Sequence, residues 1–339
     1  MEEDPHEIPA LKAPDGFETN FDDPTSIHRV QVAVASTALA VSTVAVVART
    51  YVRAKLMKKF DFSDFSLILS LLIFVAFVSL AIITGKYGQG KHQWNVRLSD
   101  FIELLKIVNV LDILYSPLVF FAKYVVLRQI ETTFFQHQSR SWSHWGLIVL
   151  IWSNLFFYTA FFFSFIFACT PREKIWNPPL DGTCIDNSAA LISSSGINLV
   201  SDTTILILPL ATIFKLQMST KNRIQVGAVF AIGFLAITAS VVRLYYTVKL
   251  TNSDDVTYVV EPFGYWSEIE YASVILVACF PVFPLLFRHI SQQSQKITTR
   301  SKSSSQPDYT RYGQNSFTKL RDDRVHDAET GRGFEMDVT

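Results

Sequence analysis

Six polar or charged side chains interrupt otherwise apolar stretches of this chain, and they are the residues best placed to do chemistry. They are Asp112, Lys123, Asn198, Asp202, Arg243 and Glu270. Carboxylate, ammonium and guanidinium groups are costly to bury, so inside apolar segments they pair, bind a ligand or ion, or relay protons. We treat the six as one predicted polar site, which lies inside a membrane if the apolar stretches cross one.

The spacing of these residues limits which of them can meet. On a helix, Asp112 and Lys123 share a face but lie about 16 Å apart along the axis, which is too far for a direct pair. Arg243 and Glu270 occur near corresponding ends of two consecutive apolar stretches. If those stretches are antiparallel helices, the two side chains lie at similar depth, so we predict an Arg243–Glu270 ion pair, with Glu268 as the second choice of partner.

Two interpretations of the polar site stay open. Buried polar side chains often hold membrane helices together through hydrogen bonds. They can equally handle a ligand, an ion or a proton. Asn198 and Asp202 lie one helical turn apart, which places both on one face, and they are the strongest functional candidates.

Seven long apolar runs must position these residues. They cover about 28–49, 64–84, 101–125, 145–168, 188–214, 224–247 and 266–287. Runs of about 20 apolar residues match the hydrocarbon thickness of a bilayer. The sequence therefore predicts an all-α, polytopic membrane protein with a seven-transmembrane-helix bundle at 28–288. An acidic tail, 1–27, precedes the bundle, and a disordered tail, 289–339, follows it because it is too poor in aliphatic residues to form a core.

The basic residues predict the orientation of the bundle. Loops after the first, third and fifth runs hold ten Lys and Arg residues, and the loops on the other side hold six. Basic residues are enriched in cytoplasmic loops. We therefore expect the amino terminus outside and the carboxy terminus in the cytoplasm, with the plasma membrane as the expected location.

Two of the three cysteines bracket a polar loop between the fourth and fifth runs. Cys169 and Cys184 would lie on the outer side, where disulfides form and persist, although two free thiols remain an alternative. Cys279 lies within the seventh run, where a thiol behaves as a small hydrophobic group. No spacing typical of a metal site occurs, so we expect no metal.

Several short motifs occur in a fixed order along 28–288. They are "ARTYVR" leading to Asp64, "YGQGKH" at 87–92, Tyr115 with Lys123, "CTP…W…GTC" with Trp176, Asn198 with Asp202 and Pro209, Arg243, and "YWSEIE" before "ACFP". In this order they resemble the fungal rhodopsin-domain integral membrane proteins. That family includes surface-sensing, receptor-like proteins of plant pathogens and a satratoxin-cluster membrane protein. The resemblance implies a seven-helix membrane domain and, in some members, a link to secondary-metabolite gene clusters.

The sequence leaves two main functions open. A receptor-like sensor would bind an unknown small-molecule ligand under the Cys169–Cys184 loop and act on a cytoplasmic signalling partner. A transporter exporting a metabolite would use Asp112, Asp202 and Arg243 as substrate or proton sites. We expect no enzyme, because no catalytic constellation occurs. The seventh run has no Lys for a retinal Schiff base, so we expect no cofactor. We expect the protein to contact the lipid bilayer and no nucleic acid.

Overall fold

Seven long helices form the bundle in the computed structural model, which describes residues 8–134, 142–177, 179–213 and 220–292. They are α1 (His28–Tyr51), α2 (Phe62–Ile83), α3 (Leu98–Phe134), α4 (Trp142–Ile166), α5 (Asn187–Ile213), α6 (Thr220–Thr251) and α7 (Val256–Cys279). Within this described part, all seven are long and apolar enough to cross a membrane. The predicted seven-helix membrane bundle is confirmed.

Helix α7 lies at the centre of the bundle and α4 at its edge. Helix α7 packs on α6, α1 and α3, and its Ile275 and Ala278 are fully buried. Small residues such as Ala35 and Ala122 are also fully buried and allow close helix approach. On α4, by contrast, Phe156 is 71% exposed.

Helix α7 begins at Val256, ten residues before the start that the sequence predicts. Glu261 lies in this added part and Glu268 two residues after the predicted start, and their charges lower the hydropathy of the region. Both carboxylates are buried and have partners, because Glu261 lies 2.8 Å from His28 Nδ1 and Glu268 accepts from Gln31 at 2.8 Å. Partners on α1 therefore allow a segment to be buried that looks too polar by itself.

The described part of the acidic tail is packed rather than free. Residues 8–27 run along the α2–α3 loop, where Ala10 donates to the Val96 carbonyl at 2.8 Å and Ile27 to the Gly90 carbonyl at 3.0 Å. Gly90 has φ +83°, and an added Cβ would lie 3.0 Å from the backbone nitrogen of His28. Only glycine fits this turn without strain. Residues 8–27 are thus held against the α2–α3 loop by backbone hydrogen bonds.

The α-helical conformation of α7 is interrupted at Phe280. A 3-10 turn over Phe280–Val282, which contains Pro281, follows α7. From Leu285 onward the chain forms a second unit, of which residues 285–292 are described and helical. The predicted disordered tail lies outside the described residues from 293 onward.

The loop between α4 and α5 is closed by the predicted disulfide between Cys169 and Cys184. Two short antiparallel strands, β1 (Cys169–Thr170) and β2 (Thr183–Cys184), bring the cysteines opposite each other. Arg172 holds the loop on α3 by donating to Asn109 Oδ1 at 3.0 Å.

We expect the double variant Cys169→Ser, Cys184→Ser to lose about 3 kcal/mol of stability, because the bridge closes a loop of about 15 residues. Thiol alkylation followed by mass spectrometry checks the pairing. Denatured, unreduced protein should gain one label, at Cys279, and reduced protein should gain three. Three labels without reduction would contradict the bridge.

Candidate functional site

Two buried ion pairs lie in the middle of the bundle. Lys123 Nζ on α3 is 2.8 Å from Asp202 Oδ1 on α5, and Arg243 Nε on α6 is 3.0 Å from Glu270 Oε2 on α7. All four side chains are at most 5% exposed. The predicted Arg243–Glu270 pair is confirmed, whereas Glu268 bonds to Gln31 instead.

Asn198 on α5 joins the two ion pairs. Its Nδ2 donates to Glu270 Oε1 at 2.7 Å and to Asp202 Oδ2 at 3.2 Å. Its backbone carbonyl accepts from Lys123 Nζ at 3.2 Å. One amide therefore contacts both carboxylates, so a shift of either pair changes the hydrogen bonds available to the other.

Three hydroxyl groups complete this arrangement. Ser240 donates to Asp202 Oδ2 at 2.6 Å, Tyr158 to Asn198 Oδ1 at 2.7 Å, and Tyr115 to Glu270 Oε1 at 3.3 Å. We call this set the central network; it comprises Tyr115, Lys123, Tyr158, Asn198, Asp202, Ser240, Arg243 and Glu270. The sequence prediction missed Ser240 and Tyr158. The spacing of Ser240 and Arg243, three residues apart on one helix face, is a signal that could have found the serine.

The central network is balanced in charge and has little capacity for bond-breaking chemistry. Its two cations face two carboxylates, so the network is neutral overall. Burying such pairs is costly unless further hydrogen bonds satisfy the charged groups. The hydroxyls and Asn198 supply them to the two carboxylates, whereas Arg243 Nη2 has no partner. Among the described residues, no group of three or more His, Cys, Asp or Glu could hold a metal ion. What the network can do is rearrange when one charge is displaced.

A small cavity that holds a few polar groups in a largely apolar wall lies beside Arg243, toward the end of the bundle that carries the amino-terminal tail. We call it the Arg243 cavity; it measures about 50 Å³, and all seven helices contribute to its wall. Asp112 lines it and has no polar partner among the described side chains. Arg243 Nη2, Gln31 Oε1 and Gln89 Oε1 also lack partners. The cavity has room for a few water molecules and offers a guanidinium, a carboxyl and two amides.

The structure thus separates Asp112 from the other five predicted site residues, which all belong to the central network. The Cys169–Cys184 loop does not contribute to the wall of the Arg243 cavity as described. Gln89, from the α2–α3 loop, lies there instead. We expected this loop to cover the ligand site, but none of its residues is in the described lining, and the Arg172–Asn109 hydrogen bond holds it on α3.

A larger apolar cavity lies on the other side of the central network, between α3, α5, α6 and α7. We call it the Asp202 cavity; it measures about 140 Å³, and Asp202 and Gln129 are the polar side chains among its described lining. An empty cavity of this volume in a protein core costs roughly 3 kcal/mol. The central network therefore has a cavity on each side. The one at Arg243 contains several polar groups without partners, and the one at Asp202 is almost wholly apolar.

A second polar cluster closes the carboxy-terminal end of the bundle. Arg49 of α1 pairs with Asp64 of α2 at 3.1 Å, and Arg53 pairs with the same carboxylate at 3.0 Å. Arg49 also donates to Gln129 of α3 and to the backbone carbonyl of Ala278 in α7. We call these five residues the Arg49 clamp, and it ties four helices together.

The break after α7 explains why the clamp reaches a backbone carbonyl. The last four carbonyl groups of a helix lack an intrahelical partner, and α7 ends at Cys279. The guanidinium of Arg49 donates a hydrogen bond to the Ala278 carbonyl and so gives it a partner. The sequence prediction counted Arg49 as a loop charge, yet it is only 2% exposed.

Comparison with known proteins agrees with this architecture. The fungal rhodopsin domain matches residues 48–289, which include α2 to α7. A SAT4 family membrane protein of Emericella nidulans is 36% identical over 228 residues, covering 66% of this chain and 58% of that protein. Fugralins biosynthesis cluster protein 2 of Gibberella zeae is 31% identical over 287 residues, covering 83% of this chain and 71% of that protein.

A more distant relative is satratoxin biosynthesis SC1 cluster protein 4 of Stachybotrys chartarum, 23% identical over 142 residues, which cover 41% of this chain and 46% of that protein. The matched domain covers more than half of the chain. This chain therefore belongs to the fungal rhodopsin domain family of multi-pass membrane proteins.

Proposed function

We propose that this protein is a receptor-like sensor of a small molecule, with the Arg243 cavity as its ligand site. The observation that carries the proposal is the path of contacts from Arg243 through Glu270 and Asn198 to Asp202. A ligand group that accepts from the partnerless Nη2 of Arg243 shares the guanidinium with Glu270, which accepts from Nε, and so changes the charge that Glu270 faces. A ligand that binds one arrangement of the pairs better than another shifts the population of helix arrangements.

The direction of signalling follows from the proposed orientation, in which the amino-terminal end of the bundle faces outside the cell. The Arg243 cavity lies toward that end, and the Arg49 clamp lies toward the cytoplasm. Basic residues on the cytoplasmic side would then meet a signalling partner. Plasma membrane is the location that fits an external cue.

We expect an epitope tag before Met1 to be labelled by antibody in intact cells. A tag after Thr339 should be labelled only after permeabilisation, because seven crossings place the two ends on opposite sides. The two tagged proteins control for each other. Labelling of the carboxy-terminal tag in intact cells, with the amino-terminal tag protected, would reverse the proposed orientation.

The Asp202 cavity argues for a sensor over a transporter. A transported ion or polar metabolite needs polar groups on both sides of its central site. The path beyond Asp202 instead enters a cavity whose described wall is almost wholly apolar. The polar groups that would carry an ion or a proton onward are absent from that described wall.

A strain comparison tests the proposal. The relatives named for biosynthesis clusters make secondary-metabolite production the response to measure. We compare a gene deletion, an Asp202→Asn strain and an exposed control, Glu103→Gln, for transcription and for metabolite inside and outside the cells. A sensor predicts altered transcription in the first two strains with an unchanged ratio of internal to external metabolite. Accumulation inside the cells with unchanged transcription would favour a transporter and contradict the proposal.

A further inference from the structure

The Asp202 cavity has a wall that suits a hydrocarbon and not water. Its described lining is made largely of aliphatic and aromatic side chains, including Ile130, Ile205, Leu206, Phe230 and Val274. An ordered water needs two to four polar partners, and an apolar cavity without them stays dry. Volume alone would admit several waters, but the chemistry of the wall does not hold them.

The polar groups at the cavity are already in use. Both oxygens of Asp202 are engaged, Oδ1 by Lys123 and Oδ2 by Ser240 and Asn198. The side-chain oxygen of Gln129 accepts from Arg49. A ligand here therefore needs no charged head group, and a purely apolar segment leaves the central network intact.

The size of the cavity fixes how much of a ligand it can take. At about 140 Å³ it is close to the apolar cavity of roughly 150 Å³, engineered in another protein, that binds benzene. The segment that fits is thus a short run of methylene groups with its terminal methyl, and not a whole lipid.

The bilayer is the phase that can supply such a segment. Next to lining residues on α5 and α6, Ile207 is 56% and Phe234 67% exposed on the faces that a seven-helix membrane bundle turns to lipid. Between these helices, Leu206 packs over Gly233, where an added Cβ would lie 2.5 Å from Leu206 Cδ1. Rotation of one flexible leucine side chain over a glycine can open a path between the two helices.

We propose that the Asp202 cavity is a binding site for the methyl end of an unbranched acyl chain, which enters from the membrane between Leu206 and Gly233. The site is separate from the Arg243 cavity and does not depend on the receptor proposal. Its occupation would support the packing of α5 and α6 directly beneath the Lys123–Asp202 pair.

Photolabelling of the full chain in nanodiscs tests this proposal. Two probes carry a diazirine at the chain terminus, one a free fatty acid and the other a phosphatidylcholine with the same chain. We expect labelled peptides that contain the lining of α5 or α6. Labelling by the free acid alone indicates a soluble chain as ligand, and labelling by the phospholipid indicates a lipid tail; both support the site.

Cavity-filling variants decide whether the label reports the cavity. Ala236→Leu fills it from α6, and Ala231→Leu makes the same change on an exposed position of that helix. We expect labelling to fall about tenfold or more in Ala236→Leu, because the added carbons take the volume of roughly three methylene groups, and to stay unchanged in Ala231→Leu. Val277→Phe fills the cavity from α7 and replaces Ala236→Leu as the test variant if Ala236→Leu does not fold. Equal labelling of the filled and control variants, or labels only outside this lining, would overturn the proposal.

Discussion

Replacing Asp202 with alanine is expected to lower the free energy of unfolding by about 3–5 kcal/mol, the usual cost of removing one partner from a buried ion pair. The reason is the charge left behind. Lys123 is 1% exposed and its ammonium has Asp202 as its counter-ion. Asn198 and Ser240 also lose their shared acceptor. Reversible unfolding in mixed micelles measures the difference.

Two comparisons show whether the uncompensated charge is the cause. The double variant Lys123→Met, Asp202→Leu removes both charges with similar volume, so it should recover most of the loss. Glu103→Ala on the same helix as Lys123 removes an exposed partner of Lys106 and should change stability by at most about 1 kcal/mol. If Asp202→Ala lowers the free energy of unfolding no more than Glu103→Ala does, the Lys123–Asp202 pair does not contribute the expected stability.

The second large effect is expected at the Arg49 clamp. Asp64→Ala removes the carboxylate shared by Arg49 and Arg53, and the side chain of Arg49 is 3% exposed. A buried guanidinium without its counter-ion should again cost about 3–5 kcal/mol. Because Arg49 also holds the Ala278 carbonyl, the end of α7 should loosen as well.

Alkylation of Cys279 reports on that loosening. The thiol is fully buried and follows Ala278 directly, so it should react faster in Asp64→Ala than in the parent. Asp61→Asn is the matched control, since Asp61 pairs with Arg53 while its own side chain is 63% exposed. Faster alkylation in both variants alike would show that the clamp does not secure α7.

The membrane bundle was predictable from the sequence because each span is a local property. Twenty apolar residues match a bilayer whatever their neighbours are. The start of α7 was not predictable in this way. Glu261 lies before the predicted start and Glu268 two residues after it, so both make this region look polar. Their partners His28 and Gln31 lie more than 230 residues away along the chain. Only the packing of α1 on α7 shows that these carboxylates are bonded.

The polar site shows the same division between local and distant information. Arg243 and Glu270 lie on consecutive antiparallel helices, so their depth alone predicts the pair. Lys123 and Asp202 lie on α3 and α5, which are not consecutive, and their pairing depends on the arrangement of the bundle. Arg49 was misread because a basic residue at the end of an apolar run usually lies in water, and its burial follows from contacts with three other helices.

The coupling free energy between Asp202 and Arg243 tests the central claim most directly, namely that Asn198 links the two ion pairs. Asp202→Asn, Arg243→Gln and their double variant are unfolded in the parent and in an Asn198→Leu background. We predict a coupling of about 0.5–3 kcal/mol in the parent, which falls to the error of additivity, roughly 0.5 kcal/mol, when Asn198 is leucine. Additive effects in the parent, or the same coupling in both backgrounds, would contradict the link.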